Sequence, residues 1–142
     1  YYWGDIHLQN FGEKRGSQIS PVKDAIDYGM KYTFHQDTPV IPPDMMRTIS
    51  SAVNRISRGG RVIGENQKIS VLDALKAVTI YAAYQYFEEH EKGSIECGKY
   101  ADFVVLEKNP LKTPKEELAE IKVWMTIKEN EVIYRSGEAN HE

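Results

Sequence analysis

The pattern of apolar residues changes character once, near residue 92. Before that point, apolar positions recur at helical spacing between short apolar runs. After it, Ile121, Val123, Met125 and Ile127 alternate strictly with Lys122, Trp124, Thr126 and Lys128. A period of two is the mark of a half-buried strand. The chain therefore reads as an α/β part over residues 1–92, a small antiparallel sheet over 93–136 and a frayed tail over 137–142. A lone three-stranded sheet buries little, so the second part is expected to pack on something else.

Residues 1–19 hold three glycines and few periodic apolar positions, and read as a strand end followed by a loop and a helical turn. Ser20-Pro21 offers an N-cap and a first-turn proline for a helix over 21–28, with Gly29 as its stop. Met30 to Phe34 reads as a strand. Three prolines between Pro39 and Pro43 forbid its continuation. Asp44 then caps a helix with Met45, Met46, Ile49, Val53 and Ile56 on one face, ended by Arg58-Gly59-Gly60, and 59–68 reads as a polar loop. Ser70 to Asp73 resembles a capping box, opening a single helix over 71–87. Beyond residue 92, Ala101 to Leu106 reads as a strand, Pro114 opens a short polar helix, and Glu129-Asn130 turns into a hairpin.

With 142 residues, 41% hydrophobic and 27% charged, the composition is globular and excludes wholesale disorder. A net charge of −3 argues against a nucleic-acid-coating surface. No apolar run reaches the roughly 18 residues a membrane span needs. Cys97 is the single cysteine, which excludes internal disulfides and Cys-based zinc clusters and fits a cytoplasmic setting. The start at Tyr1 carries no signal-peptide pattern and is equally consistent with a piece of a longer chain or a trimmed natural start.

Few polar residues invite chemistry. Asp37, in His35-Gln36-Asp37, follows a predicted strand, where α/β folds place active-site carboxylates. It is a hard oxygen donor that also accepts protons, and both properties suit metal-assisted hydrolysis. The plainer reading is a loop cap, and spacing alone favours it. His7 follows another strand end, with Asp5 placed to orient its imidazole, or is a surface histidine. His90 and the acids Glu88, Glu89 and Glu91 read as a solvated face, His141 as part of the tail, and Cys97 as structural. His7, His35 and Asp37 are at most a partial ligand set, since a catalytic zinc takes three protein ligands.

Several stretches together resemble a known family. They are Tyr2 to His7, His35-Gln36-Asp37-Thr38-Pro39-Val40, Ala74 to Thr79, Gly93-Ser94-Ile95 and Gly98 to Leu106. In order, they are similar to the C-terminal end of metal-dependent amidohydrolases of family 3, in the branch of YtcJ-like proteins and N-substituted formamide deformylase.

The resemblance implies the terminal part of a (β/α)8 barrel, about strands seven and eight with the helices that follow, plus the C-terminal strands of a β-sandwich. It implies hydrolysis of non-peptide C–N bonds by water activated on a divalent metal, zinc by preference. Asp37 matches the position that binds the metal and exchanges a proton with that water, while His7 and His35 match pocket positions. The other ligands of the family, a His-x-His among them, have no counterpart in this sequence. The isolated chain is therefore expected to hold no metal and to be inactive. Its expected partners are an amide-type small molecule, the rest of a barrel and, through orphan strands, other copies of itself. The rival expectation is a non-enzymatic α+β module that binds a partner chain through its sheet.

Overall fold

The computed structural model describes residues 1–137. Five helices precede the sheet: α1 Gly4–Gly16, α2 Val22–Asp27, α3 Met45–Asn54, α4 Val71–Ala77 and α5 Ile80–Gln85. Three strands follow: β1 Phe103–Leu106, β2 Val123–Lys128 and β3 Glu131–Arg135. They form one antiparallel sheet in the order β1-β2-β3. The tail and His141 fall largely outside the described residues.

Helix α3 organises the packing. Asp44 caps it as expected, its Oδ1 accepting from the Arg47 backbone N–H at 2.9 Å. Its Met46, Ile49 and Val53 are buried, while Met45 and Ile56, at the ends of the expected stripe, stay exposed. The core adds Ile69 and Ala74 with Leu118 and Ile121, so it draws on both sides of residue 92. Leu118 reaches it from the 3-10 turn Lys115–Glu120, which Pro114 introduces and which lies against α3.

The sheet follows the period-two pattern. Met125 is buried, Val123 and Ile127 are half-buried, and Lys122, Trp124 and Lys128 face solvent. Glu129 and Asn130 adopt φ of 50° and 70°, the left-handed pair that a two-residue hairpin requires. Asp102 Oδ1 accepts from the Glu129 N–H at 2.8 Å and ties that turn to the start of β1.

Four elements differ from the sequence reading. Residues 4–16 are helical, merged across a kink at Gly12, whose φ is 73°. The helix forms because Leu8 is buried and Asp5 is anchored far away, which local spacing does not reveal. The Met30–Phe34 run is not a strand; no neighbouring strand pairs with it among the described residues, and Tyr32 and Phe34 lean on the core instead. The helix expected over 71–87 breaks at Thr79, whose φ and ψ are −126° and −97°. Its capping box is real: Ser70 Oγ accepts from the Asp73 N–H at 3.1 Å and donates to Asp73 Oδ2 at 2.6 Å. Helix α3 ends at Asn54 through Arg55 in the left-handed region, ahead of the glycines.

Candidate functional site

A cleft of about 680 Å³ opens between the first residues, the segment 32–36 and α3. Tyr1, Tyr2, Trp3, Tyr32 and Phe34 make its aromatic wall. His7 and His35 both line it. His7 sits on α1 with its ring 5.9 Å from that of Phe11. Asp37 does not line the cleft; it lies exposed just past His35, at the exit of the extended segment.

Asp37 has φ of 56°, which a non-glycine residue adopts at some cost and which Asp tolerates better than most. Two contacts hold it there. On one side, the Val40 N–H donates to the Asp37 carbonyl at 2.7 Å, closing a turn through the cis Thr38-Pro39 peptide. On the other, Gln36 Nε2 donates to the Asp44 carbonyl at 2.7 Å and to Thr48 Oγ1 at 2.6 Å. The residue before Asp37 is thereby fastened to the first turn of α3.

Asp5 does not orient His7. Its Oδ1 accepts from Ser57 Oγ at 2.8 Å and its Oδ2 from the Gly59 N–H at 3.0 Å, which ties α1 to the turn after α3. A side chain at 59 would put its Cβ 2.9 Å from Asp5 Oδ2, so the Asp5 carboxylate would have to shift off this contact.

Sequence reasoning passed over two residues: Arg55, which lines the cleft, and Gln67, which holds the helix α2 beside it. Arg55 donates from Nε to the Ile63 carbonyl at 2.6 Å, from Nη2 to Ile19 at 2.7 Å and from Nη1 to Ser20 at 3.1 Å. Burial lowers its pKa. Gln67 is buried and accepts at Oε1 from the Lys23 and Asp24 N–H groups, at 3.0 and 3.2 Å. It thus caps α2, the work expected of Ser20. Neither residue had a sequence signal, because Arg55 holds the Ile19 and Ser20 carbonyls and Gln67 the Lys23 and Asp24 N–H groups, all more than 30 residues away.

The other candidates stay apart. The His90 side chain is 91% exposed and Cys97 is exposed at a turn. Glu88 pairs with Lys92 at 2.6 Å, whereas Glu89 Oε2 is buried without a hydrogen-bond partner, so the acidic stretch is not wholly solvated.

Among the described residues, no three His, Cys, Asp or Glu side chains converge as a metal site requires. Asp37 offers one hard oxygen donor, so the residues present do not by themselves fit a resident metal.

The comparisons decide the family. The amidohydrolase family model matches residues 2–134. The chain belongs to the amidohydrolase family. This amidohydrolase chain is 28% identical to an N-substituted formamide deformylase of Arthrobacter pascens over 95% of its own length and 25% of that protein. It is 27% identical to the putative amidohydrolase YtcJ of Bacillus subtilis strain 168, over 92% of its length and 25% of that protein. It thus spans about a quarter of the length of these curated relatives. The crystal structure of an amidohydrolase from Thermotoga maritima MSB8 overlays with a TM-score of 0.61 at 22% identity, over 80% of this chain and 25% of that one. That overlay supports the fold alone. No helix among the described residues is long and apolar enough to cross a membrane.

Proposed function

We propose that this amidohydrolase chain supplies the C-terminal end of an enzyme that hydrolyses non-peptide C–N bonds in amide-type small molecules. In this reading residues 1–92 are the end of a (β/α)8 barrel, whose last strands would form only where the segments 1–3 and 30–34 pair with the rest of the barrel, and 93–136 are strands of a β-sandwich. The observation that carries it is the holding of Asp37. Its left-handed backbone is fastened by Gln36 on one side and by the Val40 turn on the other. A backbone so held fits a residue whose place in the chain is fixed, with its carboxyl group left uncommitted. His7 and His35 would touch substrate, since both line the cleft.

The reading also includes a divalent metal, zinc by resemblance, which would supply Lewis acidity and an activated water. Asp37 is the one ligand this chain would contribute, and the others would come from residues outside it. The isolated chain is accordingly inactive in this reading, and works in a cytoplasmic parent polypeptide. Exposed apolar residues such as Tyr28, Phe87 and Ile95, each more than 80% accessible, favour contact with further chain or self-association.

The deciding experiment uses the longest native polypeptide that contains this sequence, assayed on an N-substituted formamide and a panel of simple amides. Asp37→Asn should abolish hydrolysis with the thermal midpoint kept. Full activity in that variant would remove Asp37 from the reaction. Absence of any amidase activity in the parent would favour the partner-binding module, for which β3, exposed along its whole length at the sheet edge, is the supporting feature.

A further inference from the structure

Two glycines in α1 stand in backbone settings that other residues resist. Gly12 has φ of 73° and ψ of 164°, a region essentially confined to glycine. In an unbroken helix residues 8 and 16 would stand about 12 Å apart along the axis. The kink at Gly12 instead folds the end of α1 back, and Gly16 is buried against the first turns. A Cβ at 16 would lie 2.9 Å from Leu8 Cα and 3.0 Å from the His7 carbonyl oxygen. Both are backbone atoms, so no change of rotamer relieves the contact.

Both arms of the fold-back are pinned. Asp5 ties the first arm to Ser57 and Gly59, and the His7 N–H donates to the Trp3 carbonyl at 2.9 Å. Glu13 Oε2 accepts from Arg61 Nη2 at 2.8 Å and ties the return arm to the same stretch after α3. Leu8 is buried. Between these fixed points, His7 borders the cleft, and so does Gly16.

We infer that Gly16 is a positioning residue for His7. With no side chain at 16, the return arm seats directly on the His7–Leu8 backbone and sets how far the imidazole reaches into the cleft. A Cβ there forces the two arms apart. Asp5 is anchored and Leu8 is buried, so the displacement falls on His7. The inference deepens the proposed function and rests on its reading of His7 as a substrate contact.

The test measures kcat and KM of the longest native polypeptide on N-phenylformamide, below the thermal midpoint of every variant. Gly16→Ala should raise KM about 3- to 10-fold, the worth of one hydrogen bond to substrate. It should leave kcat within about twofold, the pattern of a lost binding contact. His7→Ala should raise KM at least as much, and Gly16→Ala should add nothing in that background, because both changes act on one contact. A purely structural role for Gly16 would lower the thermal midpoint and the active fraction without moving KM. If Gly16→Ala does not fold, Gly12→Ala carries the same cycle: a Cβ there meets nothing within 4 Å, so it strains the kink without crowding His7. An unchanged KM in the glycine variant, or an equal rise with and without His7, would overturn the inference and leave the hydrolase reading standing. An unchanged KM in His7→Ala would take His7 out of the binding contacts and end the inference as well. No turnover of N-phenylformamide or of the amide panel in the parent would remove the hydrolase reading itself, and the inference with it.

Discussion

Gln36 Nε2 lies 2.6 Å from Thr48 Oγ1 and donates to it, while Thr48 itself donates to the Asp44 carbonyl. The same Gln36 nitrogen also donates to that carbonyl, so three residues close a small ring of hydrogen bonds over the proline-rich loop. Gln36→Leu keeps the bulk and removes the donor. It should lower stability by about 1–2 kcal/mol, the worth of one or two such bonds. Thr48→Val should cost less in the Gln36→Leu background than in the parent, because the two share one network. Chemical denaturation of the four chains measures the coupling. Strict additivity would mean that the ring does not act as a unit.

Gln67 should matter more to stability than any surface polar residue. It is 1% exposed, accepts two α2 N–H groups and donates from Nε2 to Asp24 Oδ1 at 2.7 Å. Gln67→Leu would leave the first turn of a six-residue helix without its acceptor. A loss of about 1–3 kcal/mol is expected, since two partly buried N–H groups lose their acceptor and the Asp24 carboxylate loses a donor. Hydrogen exchange should show the Lys23 and Asp24 amides losing protection first. Unchanged protection there would show that Gln67 is not their partner in solution.

How much of this was legible in the sequence depends on the range of each interaction. The caps at Asp44 and Ser70 and the Glu129-Asn130 turn involve neighbours within a few residues, and their spacing announces them. The alternation through Met125 and Ile127 was equally plain. Helix α1 was not, because its apolar content is low and its anchor is Asp5 to Ser57, 52 residues away. The Met30–Phe34 run has strand composition, but a strand needs a partner and the described residues provide none. The helix break at Thr79 has no glycine or proline to mark it. At the candidate site, Asp37 and His7 stand out by their places after expected strand ends, while their roles, and that of His35, come from the family resemblance. Arg55 and Gln67 were invisible because nothing nearby in the chain signals a contact with distant backbone.

Leu118 tests whether the two periodicities share one core. It is fully buried on a 3-10 turn yet clusters with Met46, Ile49 and Val53 of α3. Leu118→Ala should cost about 2–5 kcal/mol, the range for a large side chain deleted from a core that cannot collapse. A single cooperative transition, shifted as a whole, is expected by both far-UV and near-UV dichroism. Two separate transitions would mean that the sheet and the helices melt independently.

Tyr32 gives the chain an alkaline dependence with a defined sign. Burial, then the Asp73 and Tyr81 charges, pushes its hydroxyl up to about 12 from an ordinary value of 10. The hydroxyl also donates to the Asp73 carbonyl at 3.3 Å, a bond that only the protonated form makes. The folded chain thus keeps a proton that the unfolded chain gives up near pH 10. Its contribution is whole below pH 10 and fades as pH rises towards 12, so stability should fall across that window. Tyr32→Phe removes the titrating group and should flatten the fall, at the cost of one weak hydrogen bond at neutral pH. Denaturation midpoints between pH 9 and 12 compare the two chains. Parallel declines would assign the alkaline loss to other groups and leave Tyr32 without a part in it.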